Sequence, residues 1–150
     1  MLEKFIKKKK LKINPLFVNE KEPLGTGGSL SALKKNSSNY YVIIYGDIIF
    51  NVDLKNFIKF HLKKKSDLTF LTHPTTHPKD SDLVNVGVGD RILNFYLKPH
   101  KSKVLSNISL SGIFIISKKV LDYTEKKFQD FSKDIIPKLI KKKKYKNLFL

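Results

Sequence analysis

Two residues whose side chains can handle phosphate and metal ions follow strand-like runs. Asp47 follows the apolar run 40–45 and a glycine, and Lys98 follows the run 92–97 and precedes Pro99. Ligands of open α/β sheets bind at the carboxyl ends of the strands, where a carboxylate can hold Mg²⁺ against substrate phosphates. The structural alternatives are a turn aspartate that bonds its own backbone and a solvated lysine.

A glycine-rich turn at residues 23–28 separates a strand-like stretch, 16–18, from a helix predicted at Ser29–Lys35. Its bare backbone N–H groups could meet an anion or a planar base. The turn lacks the Gly-Lys-Ser/Thr ending of a Walker loop, and its glycine spacing differs from the dinucleotide fingerprint. Taken alone, it is better interpreted as a tight turn that begins a helix.

Several other chemistries find no support in the sequence. The absence of cysteine excludes disulfides, thiolate zinc sites and cysteine nucleophiles. The four histidines lack metal-ligand spacing, and no nucleophile elbow or Ser-His-Asp order is present. We assign His61 to the edge of a helix and the other histidines to loops. Asp53 is assigned to a helix N-cap rather than to a metal site.

The chain is strongly basic, with 30 Lys+Arg against 13 Asp+Glu and a formal net charge of +17. Such a charge often accompanies nucleic-acid binding. However, Arg91 is the single arginine, and arginine is the preferred residue for reading phosphates and bases. Abundant Lys, Ile, Asn, Phe and Tyr beside one alanine indicate AT-rich codon bias instead. We therefore disfavour a nucleic-acid function and keep a basic nucleic-acid-binding module as a third hypothesis.

The 150 residues, 41% of them apolar, predict a single folded domain. No apolar run approaches the roughly 20 residues of a membrane helix, and the N-terminus lacks the apolar region of a signal peptide. We expect a cytoplasmic protein without a membrane partner.

Strand-like and helical patterns alternate along the chain, which predicts an α/β layered sheet. Strands are predicted at 16–18, 40–45, 67–72, 83–88, 92–97, Ile108–Ser117 and 147–150. Helices are predicted at 2–10, Ser29–Lys35, 53–62, 118–123 and 131–144. The runs 40–45 and 112–116 should be central strands covered by helices on both faces. The helix 53–62 should bury Leu54, Phe57, Ile58 and Leu62 and leave Lys55, Lys59 and Lys63 in water.

Three ordered motifs resemble the sugar-phosphate nucleotidylyltransferase family. They are EPLGTGGSL at 22–30, YGD at 45–47, and DL with FH at 53–54 and 60–61. Later stretches resemble its heptose-1-phosphate and mannose-1-phosphate guanylyltransferase branches, namely HPKDSDLV at 77–84, RI at 91–92 and KPH at 98–100. SGIF at 111–114 resembles a segment that usually reads Asn-Ala-Gly-Ile-Tyr. The resemblance covers about residues 13–142.

The resemblance implies a Rossmann-like layered α/β/α sandwich with a mixed, mostly parallel sheet, here a partial domain over 1–150. It implies transfer of a nucleoside monophosphate from an NTP, with GTP favoured, to a heptose- or mannose-type sugar 1-phosphate. Pyrophosphate would be released, and the NDP-sugar would serve cell-surface lipopolysaccharide or polysaccharide synthesis. Chemistry of this kind needs positioning and charge neutralisation more than covalent help.

The resemblance also implies roles for individual residues. The nucleotide base and ribose would be lined by Leu24, Gly25, Thr26, Gly27 and Gly28. Asp47 would bind the catalytic Mg²⁺, and Lys98 would be catalytic and contact the sugar phosphate. Gly112 would lie near the sugar.

The family's N-terminal glycine-rich segment and second metal aspartate have no counterpart within residues 1–150. Leu97 and Leu110 stand where the family often has Glu and Asn. Both ends look cut, so we expect a fragment with an open slot beside the strand 40–45, marginally stable or prone to self-association, for example as a homo-oligomer. The second hypothesis is accordingly a catalytically inactive domain that binds a nucleotide or a partner subunit.

Overall fold

A computed structural model describes residues 2–9, 14–100, 106–141 and 148–149. The α-helices are α1 (Leu2–Lys8), α2 (Gly25–Gly28), α3 (Leu54–Lys64) and α4 (Ile136–Lys141). The strands are β1 (Tyr40–Ile44), β2 (Leu68–Pro74), β3 (Leu83–Gly87), β4 (Arg91–Tyr96), β5 (Ile108–Ser117) and β6 (Leu148–Phe149). Short 3₁₀ turns cover Ser29–Lys35, Pro78–Asp80, Val88–Asp90 and Lys118–Tyr123, and a π-turn, Phe131–Ile135, leads into α4.

The strands form one sheet in the order β1-β5-β2-β6-β4-β3, and β5 also pairs with β3. β5 runs antiparallel to β1, β2 and β3. β3 and β4 form an antiparallel hairpin, and β4 is antiparallel to β6. Only β2 and β6 pair in parallel among the described strands.

The prediction of a mostly parallel, Rossmann-like sheet is therefore wrong for the described part of the chain. β1 and β2 do run in the same direction, joined by α3 as in a βαβ unit. They do not pair, because β5 lies between them and runs opposite to both. The alternation of strand and helix predicted the shared direction but could not reveal an inserted strand.

The two runs predicted to be central strands have different positions. The run 112–116 lies in β5, which has neighbours on both sides, so that prediction is confirmed. The run 40–45 forms β1, which pairs with β5 alone among the described strands. The central position predicted for this run is therefore wrong. Tyr40 and Ile44 at its ends are exposed, and the open slot predicted beside this strand stays a prediction.

Helices and turns cover both faces of the sheet, so the layered α/β assignment holds. Alternate residues of β5 point to opposite faces: Ile113 and Ile115 pack with Phe57 of α3. Phe114 and Ile116 pack on the other face with the segment that leads into α4, where Phe114 stacks on Phe131 at 4.6 Å between ring centroids. The described helices include none long and apolar enough to cross a membrane.

α3 begins and ends with recognisable caps. As predicted, Asp53 is the N-cap, and its Oδ1 accepts a hydrogen bond from the Asn56 backbone N–H at 3.1 Å. The chain leaves the helix through Lys65, which adopts the left-handed conformation with φ 50°. These two caps place the helix across one face of the sheet.

The buried stripe of α3 is rotated from the predicted one. Phe57 is buried as expected, and Leu54 and Ile58 are half-buried. Leu62 is exposed, and His61 is buried in its place. Phe57 and His61 are four residues apart and share one face, and Thr69 Oγ1 lies 2.8 Å from His61 Nδ1 as a hydrogen-bond partner. The three lysines predicted to face water are exposed.

Some predicted elements change type or lie elsewhere. Residues 16–18 form no regular structure, so the strand predicted there is wrong. Ser29–Lys35 and Lys118–Tyr123 are 3₁₀ rather than α-helical. Parts of three predictions fall outside the described residues, namely position 10, positions 142–144, and the ends of 147–150.

β5 contains a bulge at the point where its pairing with β2 changes register. Its register with β2 shifts between Phe70, opposite Phe114, and Thr72, opposite Leu110. The extra length of β5 is taken up around Gly112, whose φ of 75° favours glycine. Ser111 closes the gap, because its hydroxyl donates to the Leu71 carbonyl at 2.8 Å.

Candidate functional site

Two adjoining clefts meet at the end of β1. A cleft of about 290 Å³ is lined by Asp47, Lys98 and Gly112, together with serine hydroxyls. A second cleft of about 680 Å³ is lined by Gly25, Thr26 and Asp47. Asp47 therefore lies at the junction, and the residues predicted to converge on one cleft are brought to two clefts that share it.

The first cleft mixes one ammonium group with three carboxylates, those of Asp47, Asp80 and Asp82. The Lys98 backbone N–H donates to Asp82 Oδ1 at 3.0 Å, and its Nζ donates to the Asp80 carbonyl at 3.1 Å. These bonds hold the lysine at the rim, where its exposed ammonium can exchange the carbonyl for a phosphate oxygen.

Gly112 forms part of the floor of the first cleft. A Cβ at this position would lie 3.0 Å from Cδ2 of Tyr45. The Tyr45 backbone N–H donates to the Gly112 carbonyl at 3.1 Å. At the bulge, no side chain projects from Gly112 into the cleft, and a backbone hydrogen bond joins this residue to the end of β1.

The second cleft is bounded by the first half of the glycine turn. Gly25 has φ 69°, and a Cβ there would approach the Gln129 carbonyl oxygen to 2.6 Å. Thr26 is exposed, and its Oγ1 accepts a hydrogen bond from the Phe131 backbone N–H at 2.9 Å. The segment that precedes α4 therefore fixes the shape of the turn.

The other members of the turn lie behind the cleft wall. The N–H groups of Gly27 and Gly28 both donate to the Gln129 carbonyl, at 2.8 and 3.3 Å. The Leu24 carbonyl in turn accepts from the Gln129 N–H at 3.0 Å. Because these groups are used inside the fold, Gly27 and Gly28 hold the turn against residues 127–131. The nucleotide contacts predicted for these three residues stay predictions.

Sequence reasoning missed Tyr45, which lines both clefts beside Asp47. Its ring packs edge-on against Phe114 at 5.8 Å between centroids. Burial raises the pKa of the phenol; a hydrogen bond with Thr26 opposes the rise, and the charge of Asp130 adds to it. The signal available in the sequence was position: Tyr45 ends an apolar run directly before the Gly46-Asp47 turn.

Within the described residues, the Mg²⁺ site predicted at Asp47 has no closed cage of protein ligands. No group of three or more His, Cys, Asp or Glu side chains within the described ranges could hold a metal ion. Mg²⁺ usually takes only one or two protein carboxylates and fills its other positions with water and substrate phosphates. Asp47 offers one exposed carboxylate at the junction of the clefts, and its role as a Mg²⁺ ligand stays a prediction.

The fold is α/β, and two adjoining clefts share the carboxylate of Asp47. Residues 1–149 match the nucleotidyl transferase family. The chain therefore belongs to that family, as the resemblance implied.

Two similar proteins and one similar solved structure indicate which members of the family the chain resembles. The chain is 29% identical over 137 residues to the mannose-1-phosphate guanylyltransferase catalytic subunit beta of Drosophila melanogaster, covering 89% of this chain and 37% of that protein. It is 33% identical over 129 residues to the D-glycero-alpha-D-manno-heptose 1-phosphate guanylyltransferase of Aneurinibacillus thermoaerophilus, covering 84% and 54%. HddC from Yersinia pseudotuberculosis complexed with GMP-PN superposes with a TM-score of 0.72 at 27% identity, covering 91% and 59%. The chain thus spans between about two fifths and three fifths of the length of these relatives.

Proposed function

We propose that the chain takes part in sugar-1-phosphate nucleotidylyl transfer, with GTP as the nucleotide and a mannose- or heptose-type sugar 1-phosphate as the acceptor. An oxygen of the sugar phosphate attacks the α-phosphorus of GTP and forms a new P–O bond. The bond from the α-phosphorus to the oxygen that bridges it to the β-phosphorus breaks. Pyrophosphate leaves with the bonding electron pair, and a GDP-sugar remains.

The observation that carries this proposal is the position of Asp47 between two clefts of different character. The larger cleft, with the Gly25-Thr26 turn, would take the base and ribose. The smaller cleft, with Lys98 and Gly112, would take the sugar phosphate. Two substrates so placed meet with their phosphates at the junction, as in-line transfer requires.

Each residue then has a defined task. Lys98 Nζ would pair with the sugar phosphate and hold its nucleophilic oxygen towards the nucleotide. Asp47 would hold Mg²⁺, which when bound neutralises charge on the phosphates. Gly112 would lie beside the sugar ring, and a Cβ there would make a tight contact of 3.0 Å with Tyr45, which lines the same cleft.

The relatives support the choice of substrates. Two curated relatives are guanylyltransferases, one for mannose 1-phosphate and one for a heptose 1-phosphate. The HddC structure holds GMP-PN. These names favour GTP over other nucleotides and a manno-configured sugar over others for this chain.

The test is pyrophosphate release from GTP by the 150-residue chain with Mg²⁺ and a panel of sugar 1-phosphates, beside calorimetric binding of each substrate. Asp47→Asn should remove metal-dependent turnover, because a neutral amide binds Mg²⁺ far more weakly than a carboxylate does, so the phosphates would lose the cation that neutralises them. Asp53→Asn is its matched control, since asparagine caps a helix as well as aspartate does, and it should keep wild-type activity.

Lys98→Ala should raise the KM for the sugar phosphate more than that for GTP, and Lys55→Ala on the exposed face of α3 should change neither. Full activity of Asp47→Asn would overturn the assignment of that residue. Binding of both substrates without turnover would instead favour the inactive binding domain. Absence of binding to either substrate would reject the proposed function.

A further inference from the structure

A third cleft, of about 550 Å³, shares Lys98 with the smaller of the two clefts described above. We call it the basic cleft, because Lys133 and His100 also line it and no carboxylate stands among the described residues of its lining. The smaller cleft is lined by the carboxylates of three aspartates. An oxyanion is therefore attracted in the basic cleft, whereas in the smaller cleft it meets like charges unless a cation is bound there.

One part of the wall of the basic cleft is held against the 3₁₀ turn Pro78–Asp80. Lys98 Nζ donates to the Asp80 carbonyl at 3.1 Å. His100 Nε2 lies 2.9 Å from the Pro78 carbonyl and donates to it, because a carbonyl oxygen can only accept. Two successive carbonyl bonds of this kind fix the segment 98–100, while the exposed Lys98 ammonium can exchange its neutral partner for an anion.

The other cation of the basic cleft comes from the π-turn Phe131–Ile135. The backbone N–H of Lys133 donates to Asp130 Oδ1 at 2.9 Å, which fixes the position of this residue in the turn. Its neighbour Ser132 lines the smaller cleft, whereas Lys133 lines the basic cleft alone among the three. Lys133 therefore offers a way to change the basic cleft without changing the smaller one.

We propose that the basic cleft is a second anion site, which binds a phosphate-like oxyanion between Lys98 and Lys133, and that an anion bound there competes with the sugar phosphate for the Lys98 ammonium. The binding itself follows from the charges and bonds of this cleft. The competition rests on the proposed function, which gives Lys98 to the sugar phosphate. Occupancy of the basic cleft would thus lower the affinity of the acceptor site.

The expected consequence is that Lys133→Ala separates two affinities that Lys98→Ala lowers together. Affinity for inorganic phosphate should fall about three- to tenfold in Lys133→Ala, the loss expected when an exposed ammonium no longer pairs with an oxyanion. Affinity for mannose 1-phosphate, measured without phosphate, should stay within about twofold. Lys98→Ala should weaken the binding of both ligands.

The test is calorimetric titration of the 150-residue chain with inorganic phosphate in a low-salt buffer, where surface charges are least screened. Mannose 1-phosphate is then titrated with Mg²⁺ at rising phosphate concentrations. The matched control is Lys138→Ala, which removes the same charge from an exposed position of α4 that lines none of the three clefts. It should leave both affinities unchanged. Lys133→Ala keeps the backbone bond to Asp130, so circular dichroism should show an unchanged fold.

Competition distinguishes the two possible places of the anion. In the wild type, phosphate should raise the apparent dissociation constant of mannose 1-phosphate, and in Lys133→Ala the same rise should need about three to ten times more phosphate. Equal phosphate affinity in wild type and Lys133→Ala would place the anion in the smaller cleft and overturn the inference, as would an equal loss in Lys138→Ala. Phosphate titration needs neither GTP nor turnover, so the basic cleft can pass this test even where the proposed function fails.

A parallel titration with pyrophosphate, the product of the proposed reaction, identifies the source of the oxyanion. An equal fold-loss for pyrophosphate and phosphate in Lys133→Ala would support the released product as one occupant of the basic cleft. A loss confined to phosphate would support the free ion. No measurable binding of either anion to the wild type would overturn the inference.

Discussion

β1 and β5 come from similar apolar runs, yet they occupy opposite situations in the sheet. β5 has neighbours on both sides, and its residues Ile113, Phe114, Ile115 and Ile116 are at most 2% exposed. β1 has one neighbour among the described strands, and its three middle residues are only half-buried. Tyr45 and Asp47 nevertheless follow β1. The central strand β5 therefore supplies the rigid support, whereas the less buried strand β1 leads into the polar groups of the clefts.

Two isoleucines, one in each strand, test whether β1 and β5 differ in packing. Ile115 of β5 is fully buried, whereas Ile43 of β1 is half-buried. Ile115→Ala should lower the free energy of unfolding by about 3–4 kcal/mol, and Ile43→Ala by about 1–2 kcal/mol, because the cost follows the buried volume that is lost. Urea unfolding followed by circular dichroism measures both. Equal losses would mean that β1 is as well supported as β5.

The loss expected for Ile115→Ala is a large share of an ordinary domain's stability of about 5–15 kcal/mol. The m-value should be unchanged in both variants if unfolding exposes the same surface area as in the wild type. A lower m-value for Ile43→Ala alone would indicate that β1 had already detached in the native state. β1 would then differ from β5 in local stability as well as in burial.

The second prediction uses the glycines that flank the junction of the clefts. Gly112 has φ 75°, and a Cβ there would meet the Tyr45 ring at 3.0 Å, whereas a Cβ at Gly46 would meet nothing within 4 Å. Gly112→Ala should cost about 1–3 kcal/mol through backbone strain, and Gly46→Ala should stay within about 0.5 kcal/mol. Thermal unfolding with matched binding assays measures both variants. If Gly112→Ala left the stability unchanged, the bulge would not depend on glycine.

These contrasts show what the sequence could predict and what it could not. The runs, the helix α3 and its Asp53 cap follow from local pattern, because propensity and capping act over a few residues. The order of the strands does not, since β5 reaches its place between β1 and β2 from far along the chain. The same holds for the turn, whose Gly27 and Gly28 are explained by a bond to Gln129 about a hundred residues away.

The residues of the candidate site also fall into those that the sequence indicated and those that only the structure revealed. Asp47, Lys98 and Gly112 were named from motifs, and the structure brings them to one cleft. Tyr45 stands in the YGD motif, but only Asp47 of that motif was given a role, because a tyrosine that ends an apolar run offers no chemical reason of its own. The burial of His61 was missed because its partner, Thr69, lies on the next strand. In both cases the deciding contact is tertiary.

The smallest expected effect concerns His61, which lies beside β1, with its ring centroid 6.0 Å from that of Tyr40. Burial lowers the pKa of the imidazole below the ordinary 6.5, although the charge of Asp67 acts in the opposite direction. Just below pH 6.5, His61 is therefore protonated more often in the unfolded chain than in the folded chain. Stability should be full above that pH and fall as the pH drops towards the folded pKa, by at most about 1.4 kcal/mol per pH unit.

Urea unfolding between pH 7.5 and 5.5, a range chosen to stay roughly above the carboxylate titrations, isolates this effect. His61→Gln should flatten the slope while it keeps a hydrogen-bonding group for Thr69, and His73→Gln, at an exposed position, should leave the slope unchanged. Hydrogen exchange would then locate the loss. Because His61 lies beside β1, protection of β1 amides should fall before that of β5 amides. A uniform loss across both strands would mean that the two strands open as one unit and that the contrast between them is limited to packing.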